Sequence, residues 1–161
     1  MVSSSTLTDK LNKLRQLSRA ERKLLFQSVL LLPLVHMALL FLGYDRLRQL
    51  IEKTMPLKTI ATPVTETGTL QHARELARIV SIAAGHGPYK ATCLRQSLLL
   101  WGILRAEGMQ SEICFGVRMN GHQLEAHAWV ECKGVVVNEL ASVYEQFYAL
   151  KGALPPTHLG L

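Results

Sequence analysis

Three residues in the second half of the chain, Cys93, His127 and Glu139, can do nucleophilic chemistry together. A thiolate attacks a carbonyl, an imidazole carries the proton, and a carboxylate fixes the imidazole's orientation. Cys93 is the candidate nucleophile because Thr92 reads as a helix N-cap. The thiol then falls in the helix's first turn, where unpaired N–H groups favour the thiolate. Lys90 and Arg95 add positive charge nearby. The chain has only two aspartates, Asp9 and Asp45, both in its first 60 residues. The third member must therefore be a glutamate or an asparagine.

These residues need elements to position them. From Cys93 the run CLRQSLLLWGILRAE predicts a helix ending at Gly108. The segment SEICFGVRM then alternates, with Ile113, Phe115 and Val117 on one face. Asn120-Gly121 is a two-residue hairpin signal, and HQLEAHAWVEC returns as a second strand. On it Glu125, His127, Trp129 and Glu131 share the face opposite Leu124, Ala126, Ala128 and Val130. VVVNEL predicts a third strand after Lys133-Gly134. Helices followed by an antiparallel meander make an α+β fold.

The last hairpin has two registers. A Lys133-Gly134 loop pairs Cys132 with Val135, sets His127 against Leu140, and puts Asn138 on the His127 face. A three-residue loop, Cys132 to Gly134, pairs Glu131 with Val135 and sets His127 against Glu139. Glycine at the third loop position favours the second register, and with it Glu139.

Upstream, composition changes. Net charge is +6, and residues 1–60 carry all of it, with ten Lys/Arg against four Asp/Glu. Leu7, Leu11, Leu14 and Leu17 predict an amphipathic helix. Ser18 and Glu21 form a capping-box pattern at the start of a second helix. Its run over residues 24–44 is long enough to span a bilayer, but Gln27, Ser28, Pro33 and His36 interrupt it. Cations flank both ends, so positive-inside asymmetry is absent. A span, docking at a membrane surface, and burial against protein all remain open for it. Pro33 is expected to kink or divide this helix and Gly43 to help end it, with Leu47, Leu50 and Ile51 on a third, short helix. The expected organisation is a basic, apolar helical region over 1–55, a linker over 56–68, and the thiol domain over 69–161. In the last, Leu70, Ala73, Leu76, Ala77, Val80 and Ala84 mark a helix closed by Gly85.

Other functions fit less well. Aromatics are 6% and the cations border an apolar run, so no array of cations with stacking rings suits nucleic acid. Zinc held by Cys93, Cys114, Cys132 and a histidine lacks paired-ligand spacing. Cys114 and Cys132 read as core residues, Glu125 and Glu131 as solvated strand positions, and His36 as a core or interface histidine. His72, His86, His122 and His158 read as surface residues. Three cysteines without a CxxC pair, and no charged n-region leading into an apolar stretch at the start, point to a reduced, cytoplasmic setting.

TCLRQSLLLWGIL, FGVR, AHAWVE and the Asn138-Glu139 pair together resemble the transglutaminase-like leader peptidases of lasso-peptide biosynthesis, the B proteins. AHAWVE alone resembles the wider transglutaminase-like superfamily. Arg95 stands one place early relative to the family's helix start, and Glu139 stands where the superfamily usually has aspartate. The resemblance implies a papain-like core, a helix bearing Cys93 packed on a sheet bearing His127 and Glu139, with a helical N-terminal region. It implies hydrolysis of the bond joining the leader to the core of a ribosomally made precursor peptide. Cys93 would be the nucleophile, His127 the base and then the acid, Glu139 the orienting group, and the Cys93 N–H an oxyanion donor. Trp129 would pack beside the site. No cofactor is implied, and no glycine loop suited to phosphate is present. Residues 1–60 read as helices rather than a leader-binding domain, so a separate leader-binding protein in trans is expected, with a macrolactam-forming cyclase downstream. Three other functions predict different behaviour: a non-proteolytic thiol amidase or acyl transferase, an idle interaction module docking through its front helices, and a membrane-anchored scaffold.

Overall fold

The computed structural model describes residues 17–57, 66–86 and 91–150. The amphipathic segment over 7–17 lies almost wholly outside them, as do residues 58–65 of the expected linker, Lys90, and His158.

Helix α1 runs Arg19–Thr54. It starts on the expected capping box, with the Glu21 N–H donating to Ser18 Oγ at 3.2 Å and the Ser18 N–H to Glu21 Oε2 at 2.8 Å. Pro33 does not divide it. The break is at Gly43, whose φ of 74° lies outside helical space. Proline's fixed φ is itself helical and costs one N–H bond, whereas only glycine takes a left-handed φ without strain. Packing of Val29, Leu32 and Val35 on the core carries the chain through Pro33. The expected third helix is the part of α1 beyond Gly43, residues 44–54.

Helix α2 spans Glu66–His86 and begins inside the segment expected to be linker. Its small residues Ala73, Ala77, Ala83 and Ala84 are buried, which lets α1 and the next helix approach closely. Helix α3, Cys93–Ala106, buries Leu98, Leu100, Trp101 and Leu104. Gly108, at φ 76°, turns the chain toward the sheet, with the Met109 N–H donating to the Leu104 carbonyl at 2.9 Å.

Strands β1 (Ser111–Asn120), β2 (Gln123–Cys132), β3 (Val135–Val136) and β4 (Tyr148–Ala149) form an antiparallel sheet in the order β3-β2-β1-β4. A one-turn helix α4, Val143–Gln146, precedes β4. The first hairpin turn is one residue later than expected. Asn120 pairs with Gln123, so Gly121-His122 is the loop, and Gly121 carries the positive φ of 62° at its first position. That is the glycine requirement of a type II′ turn.

The second hairpin takes the register that was not favoured. Cys132 pairs with Val135 across Lys133-Gly134, whose φ values are 52° and 76°. Two successive positive φ values are the mark of a type I′ turn, which matches strand twist. β3 is also far shorter than the six-residue strand expected. After the Val137 N–H donates to the Val130 carbonyl at 3.0 Å, the chain leaves the sheet.

The two sheet faces bury different residues. Leu98, Phe115, Ala128, Tyr44 and Leu47 join sheet, α3 and α1 on one side. Trp129, Val136 and Val143 pack on the other, with Cys114 and Phe147 against them. This is the alternation read in β1 and β2.

Candidate functional site

Cys93 is the first residue of α3, with Thr92 in the N-cap position at φ −69° and ψ 164°. The Thr92 side chain makes no capping bond, so position rather than capping strength sets the helix start. α3 lies along the part of β2 that β3 leaves uncovered, and its first turn serves that open backbone edge. The buried Ser97 Oγ, one turn after Cys93, donates to the Ala128 carbonyl at 3.1 Å. The Ala128 N–H meets the Cys93 sulfur. Two residues along, the Val130 N–H donates to Asn138 Oδ1 at 2.7 Å, and Asn138 Nδ2 reaches Ser97 Oγ at 3.5 Å. Backbone groups that an absent strand would have satisfied are thus satisfied by the elements that build the site.

His127 is half-buried on β2. Its Nε2–H donates to Glu139 Oε1 at 3.1 Å. With a carboxylate on Nε2, Nδ1 is the nitrogen left for Cys93. Glu139 is not the cross-strand neighbour of His127, as the favoured register required. It reaches the ring because the chain turns away from β2 after Val137. Asn138, the other candidate third member, points elsewhere and pins β2 to α3.

The electrostatics separate the three cysteines. Burial pushes the Cys93 thiol up, but hydrogen bonds from the His127 ring and the Ala128 backbone, the imidazole's charge, and the Leu94 N–H bring it below an ordinary thiol. His127 moves the opposite way. The Cys93 hydrogen bond raises it against burial, and the charges of Cys93 and Glu139 add to the rise. Each member of the pair stabilises the other's charged form. Cys114 is pushed up to about 12 by burial and by Glu131 and Glu112 beside it. Burial also raises Cys132, the buried cysteine of the core. Cys132 fits its reading as a core cysteine, whereas Cys114 is only part-buried, packed against the Trp129 cluster.

Several residues around the site were not read from sequence. Phe147 stacks on His127, with ring centroids 5.0 Å apart and an interplanar angle of 26°. Arg118 covers the Phe147 ring at 4.7 Å. Trp129 is fully buried, as its packing role required, and lies 6.3 Å from the imidazole at 27°. Glu131 is not a solvated strand residue: it accepts from Trp129 Nε1 at 2.8 Å and from the Tyr144 hydroxyl at 2.6 Å. Burial and Glu131 push Tyr144 up to about 12. Gly116, paired with His127 across β1 and β2, explains how these rings fit. A Cβ there would lie 2.8 Å from the Trp129 ring and 2.9 Å from Phe147 Cβ. The glycine in FGVR was the one available signal that something large approaches this backbone.

A half-buried thiol at a helix start, an imidazole beside it and a carboxylate on the ring's far nitrogen can perform nucleophilic acyl chemistry. No curated protein and no solved structure matches the chain. The family model described as the transglutaminase-like superfamily matches residues 31–151, well over half of its length, and the chain belongs to that superfamily.

Proposed function

We propose that the protein is a cysteine peptidase that removes the leader from a ribosomally made lasso-peptide precursor. The observation that carries the chemistry is the Cys93 sulfur hydrogen-bonded to an imidazole whose Nε2 is held by Glu139 at 3.1 Å. The substrate class rests on the likeness of TCLRQSLLLWGIL, FGVR and AHAWVE to the leader peptidases.

The Cys93 thiolate attacks the carbonyl carbon of the leader–core bond, and the oxyanion takes the Cys93 N–H at the helix start. His127 takes the Cys93 thiol proton and gives it to the departing amine nitrogen as the C–N bond breaks. This leaves a thioester on Cys93 and frees the core peptide's amine. His127 then takes a proton from water as the water oxygen attacks the thioester carbonyl; the C–S bond breaks, His127 returns that proton to the departing sulfur, and the leader leaves as a carboxylic acid that ionises in solvent. Glu139 holds the ring and stabilises the imidazolium throughout. A groove of about 710 Å³ runs between α2 and the β3 edge as far as Glu139, giving an extended peptide room beside the site.

The proposed partners are the precursor peptide, a separate leader-binding protein acting in trans, and a cyclase that closes the macrolactam on the freed core. The test is cleavage of the precursor in the presence of the leader-binding protein, followed by mass spectrometry. Cleavage by the wild-type chain with none by Cys93→Ala supports the proposal; no cleavage by the wild type under these conditions refutes it. A catalytically idle docking module would leave Cys93 an ordinary thiol, and the groups around it disfavour that alternative.

A further inference from the structure

We infer that α1 lies in the plane of an anionic membrane surface, held there by its outward face. The opposite face is already committed. Ser28 and Leu32 are buried on it, as are Tyr44 and Leu47 beyond the Gly43 break, and α1 packs along α2 and α3. A helix held in this way lies flat on the domain instead of crossing a bilayer alone, although it is long and apolar enough to cross one. The outward face is also apolar, which a solvated helix face is not. Phe26, Leu30, Leu34, Leu40 and Phe41 are each more than half exposed, Phe41 at 78%. At 3.6 residues per turn, Phe26, Leu30, Met37 and Phe41 share an arc of about 60° with Arg19 and Lys23. Cations therefore lead directly into the apolar stripe. That order suits lipid, with cations at phosphate headgroups and apolar side chains at the acyl boundary. Monomeric soluble proteins rarely leave so continuous an apolar patch bare.

Charge selects lipid over a second copy of the chain. Arg19, Arg22 and Lys23 stand at one end of the stripe, and Asp45 and Arg46, whose charges cancel, at the other. Parallel pairing of two stripes would set cations against cations, and antiparallel pairing would set them against a neutral end, whereas anionic headgroups supply the opposite charge. Glu21, the acidic residue at the first end, is already engaged by Arg78 and the Ser18 N–H. The segment before α1 adds Lys10, Lys13 and Arg15 to that end of the sequence.

The experiment is co-sedimentation of the full-length chain with vesicles of phosphatidylcholine alone, or of phosphatidylcholine mixed with phosphatidylglycerol. The expected result is binding to the mixed vesicles, weakened by raising salt from about 0.1 M to about 0.5 M. Leu30→Gln with Met37→Gln is expected to lower partitioning by about tenfold or more. The exposed positions leave the core intact, and an unchanged thermal transition verifies this. A Phe41→Trp variant is expected to show blue-shifted emission with mixed vesicles only. No binding to mixed vesicles, equal binding to phosphatidylcholine alone, or binding that the double variant leaves unchanged overturns the inference. So does a stable dimer whose formation the double variant abolishes. None of these readouts depends on the chemistry of Cys93.

Discussion

Glu139 holds the His127 ring from a segment that has already left the sheet. Its carboxylate is 40% exposed, so it steers the ring without a large desolvation cost. Glu139→Gln keeps a hydrogen-bonding group but removes the charge that favours the imidazolium. The expected result is a fall in precursor cleavage of about 10²-fold with an unchanged melting temperature; unaltered kinetics would remove Glu139 from the site. Cys93 was legible because a helix start is a local pattern, and Thr92 marked it. Glu139 was chosen through a register that the Lys133-Gly134 turn does not adopt. The residue is the one that contacts His127, but the route to it was not. Phe147 carried no local signal, because its stacking on His127 depends on β4 pairing with Gly116 and Val117 across the fold.

At the scale of elements, two contacts decide whether α3 and β2 present the pair correctly. Gly116 leaves the space that Trp129 and Phe147 fill. Gly116→Ala is expected to destabilise the fold by about 1–3 kcal/mol in denaturant titration. It should also slow Cys93 alkylation, because the rings that support His127 must shift. A fully stable, fully reactive variant would contradict the close approach. Asn138 takes the Val130 N–H and touches Ser97. Asn138→Ala strands a buried donor and is expected to cost about 1–3 kcal/mol, read from the same titration. Periodicity marked the described helices and long strands, whereas the two-residue strands β3 and β4 and the one-turn α4 are too short to carry a period. The turns were misplaced by one residue because Asn-Gly and Lys-Gly pairs do not say which flanking residue closes the ladder.

The whole molecule depends on α1 more than a basic front region followed by a linker would suggest. Leu32 joins the core of α2 and α3, and the Tyr44 ring meets Phe115 edge-on at 5.5 Å. Arg48 and Arg105 lie over the buried Trp101 ring at 5.7 and 5.1 Å. The family match begins at residue 31, within α1. Removing residues 1–57 would bare Leu98 and Phe115, so the remaining chain is expected to lose its cooperative thermal transition. A truncated chain that melts like the full-length protein would show α1 to be an appendage. The apolar run itself was plain in the sequence. That one of its faces packs on the domain while the other stays bare was not, because the run is apolar all round and its periodicity marks no boundary.

The pairing of Cys93 with His127 is open to test by alkylation of the native protein with iodoacetamide across a pH series, following each cysteine by peptide mass spectrometry, with His127→Ala in parallel. An ordinary thiol titrates near pH ~8.5. Cys93 is lowered in the folded protein, so its thiolate should persist below that pH and disappear only as pH falls through the lower value. Cys114, pushed up to about 12, and the buried Cys132 should stay slow throughout. The thiolate–imidazole pairing predicts that Cys93 reacts first, with an inflection below the ordinary thiol value that moves up in His127→Ala. A Cys93 inflection at the ordinary value, or one indifferent to His127, would contradict it.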